Sequence, residues 1–229
     1  MQMLYCGLTD FSTVVRNDPQ ITIYGDESNS TIRKNFIENM VKCLNSLSII
    51  ELKEITVIED YALSNLQVSK FKLILPDTLI TIGKYAFQNC TAMNDIVIPA
   101  SVSEIGEGAF YGCNSLNNIY FKEDTKITYI PELFCSGGGL NTIGIEYKNG
   151  TRTKYDTIEF PKSITKISSN AFKNCGSMGH TCIIGDNITT IGDYAFYGTT
   201  IDAFKIGTGI NTGSDQKTED FDDGNYDTD

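Results

Sequence analysis

The sequence has no tryptophan, a single histidine and few cations, with 18 Lys and Arg against 29 Asp and Glu and a net charge of −11. Nucleic acid is bound mainly through Lys and Arg, so this balance argues against a nucleic-acid partner. No run of about 18 apolar residues is present, and membrane insertion is therefore not expected. Residues 1–6 lack a basic start followed by an apolar run, so they show no secretion signal.

The residue patterns that carry catalysis or hold a cofactor are also missing. There is no Gly-x-Ser-x-Gly elbow, no P-loop, no Cys-x-x-Cys pair and no metal-ligand spacing. His180 lies two residues from Cys182, but a nucleophilic pair needs a third orienting group, and Cys182 is predicted to point inward. We therefore expect neither an enzyme nor a cofactor or metal site.

A repeated sequence motif covers most of the chain. Leu75-Pro76, Ile82-Gly83, Ala86-Phe87 and Cys90 recur 23 residues later (98 − 75) as Ile98-Pro99, Ile105-Gly106, Ala109-Phe110 and Cys113. Clear copies of the motif also start near Phe160 and Ile184, and degenerate copies cover 47–63 and 116–134. A period of about 20–29 residues rich in Leu and Ile is typical of a leucine-rich solenoid. Residues 47–206 therefore predict a leucine-rich repeat solenoid of about six turns.

Each repeat position has an expected role. The apolar segment before Pro predicts a strand, and stacking these strands gives a parallel β-sheet on one face. The Ala-Phe segment predicts a short helical turn on the other face, with Phe87, Phe110, Phe172 and Phe196 stacked in the core. The Gly of the Ile-Gly pair, such as Gly83, is expected at a corner of the coil, where it suits either a positive φ or a close backbone approach. Cys90, Cys113 and Cys175 suit small buried wedges, with a disulfide ladder as the alternative.

The two ends differ from the repeats. Residues 30–44 place Ile32, Phe36, Met40 and Leu44 on one helical face behind the potential N-cap Ser30, which predicts a capping helix. A short strand at 21–24 is expected to precede it, and the two form an N-terminal cap at 1–46. Residues 207–229 are acidic and poor in apolar side chains, which predicts a flexible tail. Calcium binding by its aspartates is the alternative, although the spacing is not that of an EF-hand.

The period breaks between 137 and 156. Asn149-Gly150 lies between two β-prone runs, which predicts a hairpin insertion projecting from the solenoid. Insertions in solenoids often map to loops on the binding face, but a neutral insertion fits equally well.

The segment 75–90, Leu-Pro-Asp-Thr-Leu-Ile-Thr-Ile-Gly-Lys-Tyr-Ala-Phe-Gln-Asn-Cys, resembles the BspA-like class of leucine-rich repeats. The resemblance is specific over 75–121 and 160–206 and weaker over 47–74 and 122–159. It implies a surface-exposed or secreted protein of bacteria or protozoa, often linked to adhesion, with no catalytic residues. Family members usually carry a secretion signal, which this sequence does not show; the alternatives are therefore an excised fragment or an intracellular or virion-borne protein.

The strand assignment names the residues that face outward from the sheet. The column Ile74, Val97, Tyr120 and Ile183 is unusually apolar, which favours a partner-binding face, although Val, Ile and Tyr also suit strands in general. The candidate partner-binding residues are Lys72, Ile74, Asp95, Val97, Asn118, Tyr120, Glu159, Ile183 and Lys205. We expect a non-enzymatic module that binds a host or matrix protein or a surface glycan; the alternative is a structural spacer in a larger surface or virion assembly.

Overall fold

Each coil of the chain contributes a strand to a main parallel sheet, and most coils add a two-residue strand at a corner. The structure is a computed structural model that describes residues 2–5, 20–25, 30–33, 48–66, 72–179 and 181–210. With strands numbered in chain order, the main-sheet strands are β1 Gln2–Tyr5, β2 Gln20–Tyr24, β4 Ile49–Lys53, β6 Lys72–Ile74, β8 Asp95–Ile98, β10 Asn118–Lys122, β12 Thr142–Glu146, β13 Thr157–Glu159, β16 Thr181–Ile184 and β19 Ala203–Ile206. The corner strands are β3 Thr31–Ile32, β5 Val57–Ile58, β7 Thr81–Ile82, β9 Glu104–Ile105, β11 Tyr129–Ile130, β14 Lys166–Ile167 and β17 Thr190–Ile191. A further short pair is formed by β15 Gly176–Ser177 and β18 Thr199–Thr200.

The pairing of these strands is parallel throughout and follows the repeat register. The main sheet has two hydrogen-bonded sections, in the order β1-β2-β4-β6 and β8-β10-β12-β13-β16-β19. Ile96 pairs with Ile119 and Val97 with Tyr120, so equivalent residues form columns across the sheet. The predicted solenoid with a stacked parallel sheet on one face is confirmed.

The interior is filled by side chains that the repeat places inward. Phe87 stacks on Phe110 with ring centroids 5.2 Å apart, and Phe172 stacks on Phe196 at 5.4 Å. Phe134 continues the column by edge contacts with Phe110 and Phe172. Burying a side chain of this size removes a large apolar area from water. The predicted aromatic column is therefore confirmed as core, with Phe196 partly buried and packed against it.

The face opposite the main sheet consists of tight turns instead of the short helical turns expected. Within one coil, the Ala86 N–H donates to the Gly83 carbonyl and the Gln88 N–H to the Tyr85 carbonyl. A left-handed residue lies at each end of this segment, where Tyr85 has φ 52° and Asn89 has φ 55°. Left-handed residues interrupt a right-handed helix and turn every second N–H toward the next coil, where Phe87 donates to Ala109. This face is therefore also a ladder between coils.

The corner glycines serve a close backbone approach. A Cβ added to Gly83 would lie 2.5 Å from the backbone N of Asp60, and Gly83 is not among the residues with positive φ. The corner N–H also bonds back to the preceding coil, as Gly83 does to the Ile58 carbonyl at 2.8 Å. Pro131 occupies this position in a later coil and has no N–H to donate. Accordingly, no backbone pairing joins β9 to β11 in the described structure, and the corner ladder divides there into β3-β5-β7-β9 and β11-β14-β17.

The coil that contains Pro131 also shifts the predicted repeat alignment by one residue. The Phe110 N–H donates to the Phe134 carbonyl, just as the Phe87 N–H donates to Ala109. Phe134 therefore occupies the Ala position, and Cys135 occupies the Phe position. The large and small side chains are exchanged, so the volume of the layer is roughly conserved.

The repeat cysteines are buried thiols, as the wedge interpretation expects. Cys90, Cys113, Cys135, Cys175 and Cys182 are all buried, and none of these five forms a disulfide. Cys90 Sγ donates to the Leu63 carbonyl and Cys113 Sγ to the Phe87 carbonyl, each at 3.0 Å. The thiol therefore also provides a weak hydrogen bond between coils.

The N-terminal end departs from the expected cap. Thr31–Ile32, at the start of the predicted capping helix, is strand β3 and pairs with Val57–Ile58. Thr-Ile occurs at the same corner position in β7, so these β-branched residues follow the repeat instead of a helix. No helix occurs in the described residues, and 34–44 lie outside them. At the other end, the Gly207 N–H still donates to the Ile184 carbonyl, and 211–229 lie outside the described residues.

Candidate functional site: a strap across the sheet face

The segment predicted as a projecting hairpin lies partly within the main sheet and partly on top of it. Strand β12 pairs with β10 over five residue pairs, from Asn118–Thr142 to Lys122–Glu146. A tight turn follows, in which the Gly150 N–H donates to the Tyr147 carbonyl, and Gly150 has φ 80°. The chain then returns antiparallel to β12, with Glu146 bridging to Arg152. The Asn-Gly signal therefore marks a real turn. Strand β12 adds one strand to the main sheet, and no corner strand follows it before β13.

The returning residues 151–156, here named the strap, cross the outer face of the sheet. Thr153 donates its N–H to the Ile145 carbonyl at 3.0 Å, and its hydroxyl accepts the Ile145 N–H at 2.9 Å. A Cβ on Gly144 would lie 2.6 Å from Thr153 Cβ, so only glycine leaves room for the strap here. Asp156 donates its N–H to Thr142 Oγ1 at 3.0 Å. These contacts hold both ends of the strap against β12.

Arg152 is the strap residue that covers the centre of the predicted binding column. Its guanidinium carbon lies 4.6 Å from the centroid of the Tyr120 ring, a cation–π contact. Its Nε donates to Glu146 Oε2 at 2.7 Å, and Nη2 donates to the same oxygen. Tyr120 is therefore only 6% exposed, although its strand position faces outward. The strand alternation predicted the direction of Tyr120 correctly, but it could not predict the cover.

Asn118 lies beside Tyr120 in the same covered region. It is 9% exposed, and its Nδ2 donates to Asp95 Oδ1 at 2.5 Å. Its Oδ1 is buried with no hydrogen-bond partner among the described residues. Asp95, Asn118 and Tyr120 therefore lie on the neighbouring strands β8 and β10, where Asn118 and Tyr120 are covered and Asp95 is exposed.

The remaining predicted residues fall on two sides of the strap. Lys72, Ile74 and Val97 lie on β6 and β8, where Lys72 is exposed and the two aliphatic side chains are half-buried. On the other side, Glu159 accepts the Thr153 hydroxyl at 3.1 Å. Farther on, Ile183 pairs with Lys205, with Ile183 half-buried and Lys205 exposed. The structure therefore divides the single predicted column into two patches.

Local electrostatics follow from this packing. Burial raises the pKa of Tyr120, the Arg152 guanidinium opposes this rise, and Asp95 and Tyr155 add to it. At the turn, a hydrogen bond from Lys148 to Asp124 raises the pKa of the exposed Lys148 ammonium. The turn is thus tied to the loop after β10, where the Lys148 N–H also donates to Glu123 Oε2 at 2.9 Å.

A second concave surface follows the corner ladder, where Pro131 interrupts the pairing. This groove has a volume of about 480 Å³ and is floored by the corner glycines. Four carboxylates and one ammonium line it, namely Asp60, Glu104, Glu107, Glu132 and Lys84. No group of three or more His, Cys, Asp or Glu in the described residues could hold a metal ion. His180 lies outside the described residues. The described part of the chain also contains no helix long and apolar enough to cross a membrane.

The repeat geometry and the sequence together decide the family. A family model for the BspA type leucine-rich repeat region matches residues 30–155 and 148–217 with six copies. The chain belongs to the BspA-type leucine-rich repeat family. The match begins at residue 30, so it includes strand β3.

Solved leucine-rich repeat proteins show distant similarity to this BspA-type chain. One from Eubacterium ventriosum is 15% identical with a TM-score of 0.38, covering 81% of this chain and 60% of its own. A leucine-rich cell surface protein from Faecalibacterium prausnitzii is 19% identical with a TM-score of 0.38, covering 83% and 61%. A Bacteroides ovatus leucine-rich repeat protein is 15% identical with a TM-score of 0.35, covering 82% and 73%. This chain thus spans about three-fifths of the first two. No curated protein matches it.

Sequence reasoning missed the most prominent residue of this surface. Arg152 was not a candidate, because the strap was expected to project away from the sheet. A signal was present: Lys148, Arg152 and Lys154 follow one another closely in a chain with net charge −11. A basic insertion in an acidic repeat protein was therefore visible, but its position on the sheet was not.

Proposed function

We propose that this chain is a non-catalytic adhesion module that binds a protein partner at a surface through the main sheet. The observation that carries the proposal is the pair Ile74 and Val97, half-buried aliphatic side chains at equivalent repeat positions of the neighbouring strands β6 and β8 that do not belong to the buried core. Membership of the BspA-type family supports a protein-interaction role and a surface location.

The patch around this pair has the composition of a binding-site centre. Apolar side chains form its middle, and Lys72, Asp95 and Glu51 provide charged groups around it. Interfaces typically combine a fully desolvated apolar centre with a polar rim. The Arg152–Tyr120 pair lies at the edge of this patch, since Tyr120 pairs with Val97 across β8 and β10. Tyr and Arg are the residue types enriched among the dominant contacts of interfaces.

The test is capture of purified matrix proteins by the immobilised full chain, with Val97→Asp as the disrupting variant. We expect Val97→Asp to abolish saturable binding, because a carboxylate would be desolvated at the centre of the interface. The matched control is Val57→Asp, the same change at a half-buried valine on the corner ladder. Tyr120→Asp is a poor variant, because Tyr120 is buried under Arg152 and its replacement would disturb the fold.

Two results would contradict this proposal. Equal loss of binding in both valine variants would show that the sheet face is not the specific contact. Capture of no protein by the wild-type chain would favour the alternative function, a structural spacer within a larger surface assembly. A glycan array run in parallel distinguishes a carbohydrate partner from a protein partner.

A further inference from the structure

Three basic side chains lie close together in the turn and the strap of a chain that is acidic overall. Lys148, Arg152 and Lys154 lie within seven residues of a sequence with 29 acidic and 18 basic side chains. Lys148 is already paired with Asp124. Lys154 is exposed and forms no ion pair with any residue that the structure describes. The strap therefore presents a cation that no neighbouring carboxylate of the described structure neutralises.

Arg152 is held in place and still has donors to offer. A guanidinium carries five N–H groups, and two of these engage Glu146 Oε2, one from Nε and one from Nη2. The other three, including both on Nη1, have no hydrogen-bond partner within the described part of the chain. The side chain is 44% exposed while its face rests on Tyr120. An arginine fixed in this way loses little rotamer freedom when it binds a carboxylate, since its position is already set.

The two cations have a spacing that a partner can match. Thr153 packs onto Gly144, whereas Arg152 lies against the Tyr120 ring with 44% of its side chain still exposed. Lys154, two residues after Arg152, is exposed. Alternate residues of an extended chain are about 6.6 Å apart. Carboxylates at alternate positions of an extended peptide repeat at this same distance. Lying along the strap, such a peptide would place one carboxylate on each cation.

We propose that the strap docks an extended acidic segment of a partner protein, with Asp or Glu at alternate positions. Arg152 takes one carboxylate through its free Nη1 edge, and Lys154 takes the next. The exposed ring of Tyr155, 53% accessible, offers apolar contact beside them. This inference rests on the proposed protein-binding function and assigns the partner's chemistry. Because the rest of the chain is acidic, it would repel such a segment, and the strap would fix the position at which the partner docks.

The test uses the full chain and a synthetic peptide of alternating Glu and Thr, with a Gln-Thr peptide of equal length as the uncharged comparison. We expect saturable binding of the Glu-Thr peptide at low salt, measured by calorimetry or NMR shifts. The double variant Arg152→Gln/Lys154→Gln should weaken binding about tenfold, because two exposed charge pairs are lost. The matched control is Lys162→Gln/Lys166→Gln, which removes the same charge from exposed lysines elsewhere.

Each contrary result overturns a defined part of the inference. Equal weakening in both double variants would show a general effect of net charge and not a site on the strap. Equal binding of the Gln-Thr peptide would remove the role of carboxylates. Binding of polygalacturonate without binding of the Glu-Thr peptide would assign the strap to an acidic polysaccharide instead of a protein segment. Failure of all these probes, with capture of a matrix protein still dependent on Val97, would reject this inference and leave the proposed function standing.

Discussion

The substitution Gly83→Ala tests whether close packing at the corner requires glycine. The added Cβ would lie 2.5 Å from the backbone N of Asp60 and 2.6 Å from the carbonyl carbon of Glu59. Both are backbone atoms of the preceding coil, so neither can move aside without shifting that coil. The same glycine donates its N–H to the Ile58 carbonyl at 2.8 Å, and the shift would stretch this bond.

The expected magnitude follows from two opposing effects. Overpacking a well-packed site lowers the free energy of unfolding by about 1–3 kcal/mol. Replacing glycine by alanine also reduces the conformational freedom of the unfolded chain, which raises the free energy of unfolding by about 0.4–1 kcal/mol. A net loss of about 1–2 kcal/mol lowers the melting temperature of a chain of this size by roughly 2–8 °C. Thermal unfolding followed by circular dichroism measures this change.

The matched control is Ser168→Ala, at the same corner position of a later coil. The Ser168 N–H donates to the Ile130 carbonyl at 3.0 Å, and a Cβ is already accommodated there. We expect its melting temperature to stay within about 1 °C of wild type, since nothing new enters the corner. If Gly83→Ala melts with the wild type, or if Ser168→Ala falls as far, close packing does not explain the corner glycine.

Two further predictions concern groups whose pKa the fold raises. Burial raises the pKa of the Cys182 thiol to about 12. We therefore expect the five buried cysteines to resist iodoacetamide at pH 8 in the folded chain and to react in denaturant, as read by peptide mapping. Rapid labelling of Cys182 in the native state would contradict this burial. Burial, with a hydrogen bond to Glu107 and repulsion by its charge, raises the pKa of Tyr85 from 10.0 to about 12. The stability that this shift provides is fully present below pH 10 and is lost as the pH rises toward 12, because the folded state holds the proton longer than the unfolded state. Glu107→Gln should lower the pKa of Tyr85, as followed by its ring NMR shifts against pH, and an unchanged titration would refute the role of Glu107.

The repeat itself could be predicted from the sequence because each coil meets the same environment. Ile96 and Ile98 alternate inward in a strand that pairs with an equivalent strand, so local pattern and tertiary contact agree. The Phe87–Phe110 stack follows from the same periodicity, since a residue repeated at a fixed offset is brought beside its own copy. A solenoid thus converts sequence spacing directly into spatial contact.

The predictions failed where one residue overrides the repeat. Pro131 lacks the N–H that the corner ladder uses, and in the same coil Phe134 takes the Ala position while Cys135 takes the Phe position. The predicted start of a helix at residue 30 is wrong, because Thr31–Ile32 follows the Thr-Ile corner strand of the repeat, and residues 34–44 of that prediction lie outside the described residues. Periodicity indicates which residues are apolar, but it cannot show which register the stacked coils select.

The sequence by itself determined the period, the parallel sheet, the buried phenylalanine column and the Asn-Gly turn, because these depend on spacing along the chain. Only the tertiary structure decided where the inserted residues go after that turn. The absence of a side chain at Gly144 lets Thr153 rest on the sheet, and this contact places Arg152 over Tyr120. Arg152 and Tyr120 do not occupy equivalent positions of the repeat, so the repeat spacing of the sequence gives no indication that they are in contact. For that reason the sequence could identify the outer face of the sheet, and only the fold could show which part of it is covered.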